Sequence, residues 1–324
     1  MPKGNIKPKR SNVLLSIFTV ALICWSAYKL SIFMKVVEDR RGGMPATPDP
    51  TAFNQSEWKV TSQQKITLDP KYLPICFISC GYSDTAADLD PLSDVHDNYP
   101  DFKFFIFTNL EDQEWETPGW EKIVTDFTFR RRITHSRYGK FLAWKYDKIQ
   151  NSCRVVYFMD PVLEPRANGT TFFELAEMIE AYEPGFMQFR HPRKRKSLMQ
   201  EFEGIAMAKK DYPANLEKTT NWMKAQPDFN DTTNIFLNQC IGYNPRSKIF
   251  QALTTSMWER YSLELDSWRD QPLWAFMLRR HKVAPKVFPI SWWKLFKKKP
   301  PTEHGHNNHQ YQSEEDVRSH TVFT

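Results

Sequence analysis

From Leu73 onward the apolar positions follow two rhythms. "LPICFISCGY" (73–82), "FKFFIFTN" (102–109), "RVVYFMD" (154–160), "GFMQFRH" (185–191) and "NIFLNQCIGYN" (234–244) are short, continuous runs rich in β-branched and aromatic residues. Such runs read as strands buried on both faces, and "EKIVTDF" (121–127) is a weaker one. Between them the period lengthens to that of a helix: 136–150, with Ser136 as N-cap, then 172–182, 197–210, 247–261 and 269–281, where Pro272 falls in the first turn. Strands alternating with helices predict an α/β domain with a mostly parallel sheet flanked by helices on both faces. In such sheets ligands sit outside the carboxyl ends of the strands, and Asp160 closes one such run.

Outside the alternation the rhythm stops. Residues 35–70, with "GGMPATPDPTAFNQS", read as a stem, and 297–324, opening "KKKPPTEHGHNNHQYQ", as a disordered polar tail. His304, His306 and His309 are better read as part of that solvated tail than as a metal site. Residues 71–296 then form one large domain. Ser11–Tyr28 carries no charge, and apart from Lys29 the apolar run reaches Met34. As a helix, 11–34 is long enough to cross a hydrocarbon core of roughly 30 Å. Lys3, Lys7, Lys9 and Arg10 precede it without an acid, which predicts a cytoplasmic tail over 1–10 and a single-pass type II signal anchor. A cleaved secretory signal is the competing reading; both place the domain outside the cytosol.

Composition changes the picture in three ways. With 41% hydrophobic and 15% aromatic residues, the 324-residue chain can build a large core. Its 44 basic and 38 acidic residues leave a mild +6, dispersed outside a few clusters, so no nucleic-acid partner is expected. Asn54, Asn168 and Asn230 begin Asn-x-Ser/Thr acceptors for glycosylation. Cys24 lies in the apolar anchor, leaving Cys76, Cys80, Cys153 and Cys240. Cys76 and Cys80 share one strand too far apart to pair, so a bridge must reach Cys153 or Cys240; four buried thiols are the alternative.

Asp160, with Glu164 four residues on, has the chemistry to hold Mg²⁺ or Mn²⁺ against a diphosphate; a turn-forming Asp-Pro is the plainer reading. "RHPRKRK" puts Arg190, Arg193, Lys194, Arg195 and Lys196 directly after a strand, around His191, as a phosphate-rich ligand would require; a solvated basic loop is the alternative. Arg137 and Lys140 are read as the first turn of a helix, with Arg130, Arg131, Arg132 and His135 ahead of them. Cations at that end are unfavourable unless an anion is bound. Asp270 and Gln271 start another helix, either as ordinary capping or as a polar pair steering a sugar. Asn238, Gln239 and Asn244 offer hydrogen bonds to sugar hydroxyls, and Trp292 and Trp293 offer stacking faces or core packing. No Ser-x-x-Lys, Gly-x-Ser-x-Gly, His-Glu-x-x-His, Walker or Gly-x-Gly-x-x-Gly pattern supports a hydrolase or kinase.

In this order, "GKFLAWKYDKI", "RVVYFMDPVLEP", "GFMQFRHPRKRKSLMQEFEGI", "NQCIGYNP" and "WRDQPLWAF" resemble a family of glycosyltransferase-like domains long classed as of unknown function. The family includes plant Golgi proteins implicated in mucilage and wall-polysaccharide synthesis. The likeness runs over about residues 130–280 and is more distantly similar to type-A nucleotide-sugar glycosyltransferases. It departs from them where Asp-x-Asp is expected: Asp160 is followed by Pro161 and Val162.

The resemblance implies a Golgi membrane protein with a lumenal domain that transfers a hexose or pentose from a nucleotide-diphosphate sugar to a glycan or glycoconjugate. It implies Arg137, Lys140, Arg190, His191 and Glu201 at the donor, Asn238 and Gln239 at the acceptor, Asp270 and Gln271 as catalytic residues, and Asp160 on Mn²⁺ or Mg²⁺. The alternatives are a catalytically silent glycan-binding protein on the same fold, or another lumenal transferase such as a sulfotransferase. The latter would need a phosphate loop after the first strand, where "CGYSDTAADLDP" is acidic and has no cation.

Overall fold

The computed structural model describes residues 69–299 except 90, 91, 93, 127, 128 and 194. The apolar segment 11–34, most of the stem, Asn54, Lys194 and the tail histidines lie outside the described residues. Among the described residues no helix is long and apolar enough to cross a membrane.

Seven strands form one sheet: β1 (Ile75–Gly81), β2 (Phe102–Thr108), β3 (Glu121–Val124), β4 (Val156–Met159), β6 (Phe186–Arg190), β7 (Phe236–Tyr243) and β8 (Lys286–Val287). Their order across the sheet is β3-β2-β1-β4-β7-β6-β8. All run parallel except β7, which is antiparallel to both β4 and β6. β1 is buried along all seven residues, as its unbroken apolar run requires of a central strand. β3, the weak pattern, is an edge strand with only Ile123 buried. The chain winds outward from β1 to β2 and β3, then returns to β4 on the other side of β1, so the order reverses between β1 and β4.

The alternation of the strands splits the core in two. On one face Cys76, Ile78, Phe105, Phe107 and Phe158 pack against α1 (Arg132–Leu142), α4 (Leu198–Met207), α5 (Pro213–Lys224), α6 (Lys248–Tyr261) and α7 (Asp270–Arg280). On the other, Phe77, Phe104, Ile106 and Tyr157 meet Phe172, Leu175 and Ile179 of α3 (Gly169–Glu180) and Phe296. Cys76 and Cys153 form a disulfide that ties the start of β1 to the entry of β4; Cys80 and Cys240 are free and buried.

Three expectations are corrected. The helix read as beginning at Ser136 begins at Arg132, gives way to a 3-10 turn over Ala143–Lys145 and resumes as α2 (Asp147–Ser152). Its cap comes from 130 residues away in sequence rather than from Ser136: Glu264 accepts the N–H groups of Arg130 (2.8 Å) and Arg131 (2.9 Å) and the Thr134 hydroxyl (2.6 Å). Arg137 and Lys140 are therefore in the middle and last turns, and the conflict with the helix dipole disappears.

Second, α5 was not anticipated, because only Leu216, Thr219 and Met223 of its twelve residues are buried. Third, the fold continues past residue 296. β9 (Phe296–Lys298) pairs antiparallel with β5 (Leu163–Pro165), α8 (Trp292–Leu295) leads into it, and the Lys299 N–H bonds the Val162 carbonyl at 2.9 Å. Glu164 sits in β5 and pairs with Lys297 across the β5–β9 ladder.

Candidate active site

Asp160 stands at the carboxyl end of β4, beside the strand-order reversal. The Ser79 hydroxyl donates to the Met159 carbonyl (2.9 Å), carrying the β1–β4 ladder to its end. The Asp160 N–H reaches the Gln239 carbonyl (2.9 Å), and Pro161 turns the chain so that Leu163 N–H bonds the Asp160 carbonyl (2.9 Å). Because β7 is reversed, its first residues lie at the carboxyl ends of its neighbours. That brings Asn238 and Gln239 to the site and leaves Asn244, at the far end, bonded to Gly185.

Helix α1 supplies the cations. A Cβ on Gly139 would lie 2.6 Å from the Cys80 sulfur and 2.9 Å from the Phe107 ring, so only glycine lets α1 press this closely on β1 and β2. Lys140, next in sequence, is 1% exposed, and its Nζ lies 2.9 Å from Asp270 Oδ2 and 3.9 Å from Asp160 Oδ1. Arg137, one turn earlier on the same face, places Nε 3.4 Å from Asp270 Oδ1. Asp270, the first residue of α7, also accepts from the Asn238 amide (3.3 Å). Gln188 donates to Asn238 Oδ1 (3.0 Å) and accepts the Trp274 indole N–H (2.7 Å). Asn238 is thus committed to holding Asp270 and is 3% exposed, a supporting role rather than the expected contact with an acceptor.

Burial and charge act on the two aspartates with different results. Burial pushes the Asp270 carboxyl up, but the charges of Lys140 and Arg137 outweigh it and hold it well below the carboxylate range. For Asp160 burial wins over the same two cations, helped by the charge of Asp270, and its carboxyl sits above the ordinary value. Lys140 is shifted down by burial, with Asp270 opposing and Arg137 assisting.

A second group adjoins the first. Glu201 on α4, 4% exposed, accepts from the Gln271 amide (3.1 Å) and pairs with Arg195. The His191 ring nitrogen receives the Arg193 N–H (3.3 Å); burial lowers its affinity for a proton, Glu201 raises it, and Arg195 and Arg193 lower it further. Arg190 is exposed at the end of β6. Lys210 is lowered by burial and then by the positive charges of Arg269, Lys298 and Arg193, with Glu201 opposing.

Of the expected site residues, the structure brings together Asp160, Lys140, Arg137, Asp270 and Asn238, and links Gln271 to Glu201. Arg130 and Arg131 instead brace the entry to α1, through Glu264 and the carbonyls of Glu264 and Asp266, and Arg132 pairs with Asp84. Trp292 packs against the core, and Trp293 is exposed. Asn168 is exposed and caps α3, accepting the Thr171 N–H (2.9 Å); Asn230 is exposed too. Gln188, Trp274, Arg269, Lys210 and Lys298 were missed. Arg269 and Trp274 lay inside "WRDQPLWAF", but a lone Gln in an apolar strand and a lysine opening a polar tail carry no local signal.

A divalent ion does not fit this arrangement well. Mg²⁺ and Mn²⁺ call for about six oxygen ligands, and among the described residues no three of His, Cys, Asp and Glu gather to provide them. The Lys140 ammonium also stands between the two aspartates, where an ion would have to share them.

No protein-family model matches the sequence, and no curated protein matches it.

Proposed function

We propose that the chain is a membrane glycosyltransferase that moves a sugar from a nucleotide-diphosphate donor to a hydroxyl of a glycan or glycoconjugate, on a type-A-like fold with its domain on the lumenal side of the Golgi. The observation that carries this reading is the buried Lys140–Arg137 pair, matched by Asp270 and Asp160 at the carboxyl edge of an open α/β sheet beside its reversal of strand order. Ligands of open α/β sheets bind at such a reversal. The resemblance over residues 130–280 supports the same class, and the Cys76–Cys153 bridge suits an oxidising lumen.

The roles within the site differ from those first assigned. Asp270, held ionised by two cations, is too weak a base to take a proton and instead fixes Lys140 and Arg137. Asp160, with a raised carboxyl and a side chain 22% exposed, is the better general base. In a direct displacement the acceptor hydroxyl oxygen forms the new bond to the anomeric carbon, and its proton passes to Asp160. The bond from that carbon to the diphosphate oxygen breaks, and the negative charge left on the diphosphate faces Lys140 and Arg137.

The test is a thermal-shift screen of the purified chain against UDP- and GDP-sugars, followed by transfer assays with the donor that binds. Saturation at about 100 times Kd should raise stability by about 2.7 kcal/mol, readily seen as a shift in Tm. Binding of glycans with no response to any nucleotide sugar would replace the transferase by a lectin-like protein.

A further inference from the structure

Beyond the matched pairs, the site carries an excess of positive charge. Asp270 and Asp160 are met by Lys140 and Arg137, and Glu201 by Arg195. Arg269, Lys210, Arg193 and Lys298 remain; none forms an ion pair with a carboxylate among the described residues, and only longer-range attraction reaches Arg269, from Asp160 and Asp270, and Lys210, from Glu201. Three segments far apart in the chain collect them. Arg269 immediately precedes Asp270, and its Nε is buried without an acceptor. The Lys210 carbonyl receives the Trp268 indole N–H (3.1 Å), which seats the end of the α4 loop against the start of α7. Arg193 lies in the turn pinned by His191, and Lys298 on β9 stands in register with Leu163, whose N–H bonds the Asp160 carbonyl. The depression of Lys210 by Arg269, Lys298 and Arg193, after burial, agrees with this crowding of like charge.

Arg193, Lys210 and Lys298 are exposed, and with Arg269 they offer charge-assisted contacts to an anion of more than one charge beside the buried ammonium–guanidinium pair. The same crowding disfavours a divalent cation, which finds two aspartates already engaged by Lys140. We propose that the donor's diphosphate is held by a cradle made wholly of protein cations, Arg269, Lys210, Arg193 and Lys298 together with Lys140 and Arg137, and that donor binding needs no divalent metal. This rests on the nucleotide-sugar reading and assigns its leaving-group site. It gives a role to Lys298, in a segment whose sequence reads as a tail.

The experiment is calorimetric titration of UDP and of GDP into the full-length protein in detergent, in EDTA and in Mn²⁺. Wild type is compared with Lys210→Ala, Lys298→Ala and, as a control on α8, Lys294→Ala; all three lysines are exposed, so the fold is retained. At least one nucleotide should bind in EDTA with a Kd within about threefold of that in Mn²⁺. Lys210→Ala and Lys298→Ala should each weaken it about tenfold at unchanged Tm, as loss of one charge-assisted phosphate contact would, while Lys294→Ala has no effect. The affinity of wild type should also fall with salt more steeply than that of either variant. Binding that requires Mn²⁺, or that ignores Lys210 and Lys298, overturns the cradle but leaves the transferase reading standing. Binding of neither nucleotide under either condition overturns both.

Discussion

Asp160 and Asp270 face the same ammonium, yet their environments separate them. The Asp270 carboxyl binds its proton more weakly in the fold than in the unfolded chain, where it titrates near about 3.9. Below that value the unfolded chain holds the extra proton, so the contribution of Asp270 is present above it and is lost as pH falls through the folded pKa. Asp160 has the opposite sign: its folded pKa is raised, so its contribution is full below about 3.9 and declines as pH rises through the folded value. Urea unfolding across pH should show Asp270→Asn flattening the acid limb and Asp160→Asn flattening the decline above it. At pH 7 Asp270→Asn should cost roughly 3–5 kcal/mol by leaving Lys140 and Arg137 without their main counter-charge. Asp160→Asn should cost less than about 1 kcal/mol, or stabilise, while abolishing transfer, as expected of a group kept for function at the expense of stability. Equal losses of stability in the two variants would refute this division of roles.

At the scale of elements, α1 is the part whose exact placement matters. Its close approach depends on Gly139 and its entry on Glu264, which is 8% exposed and has φ 53°. Gly139→Ala forces a methyl into Cys80 and Phe107 and should cost about 1–3 kcal/mol while displacing Lys140, so affinity for the donor should fall along with Tm. Glu264→Ala removes the acceptor for two N–H groups and a hydroxyl and should cost about 2 kcal/mol, the upper range for a helix cap. Chemical denaturation measures both, and a Glu264→Ala variant as stable as wild type would show that α1 needs no cap. The apolar face of this helix was legible in the sequence through Tyr138, Phe141 and Leu142. Its start was not, because "FRRRITHS" carries its capping acid in another loop.

For the molecule as a whole, the Cys76–Cys153 bridge closes a long loop across the central strands, with the two cysteines 77 residues apart. By the chain-entropy model such a loop is worth roughly 4 kcal/mol, so reduction should lower Tm markedly, and Cys76→Ser should reproduce the effect. If the reductant leaves Tm unchanged, the bridge does not contribute in solution.

The sequence by itself determined the α/β alternation, six of the seven strands of the sheet, and the placing of Asp160 and Asp270 at element ends. Those features are local, set by periods of 2.0 and 3.6 and by runs of apolar residues. Only the tertiary structure decided that β7 runs backwards, that Cys153 is the partner of Cys76, and that Lys298 closes over β5. It also decided that one lysine stands between two aspartates, so that the same type of side chain is pressed toward ionisation at position 270 and away from it at 160. Charge and burial depend on neighbours in space, and Asp270 meets Lys140 and Arg137 from more than a hundred residues away in sequence.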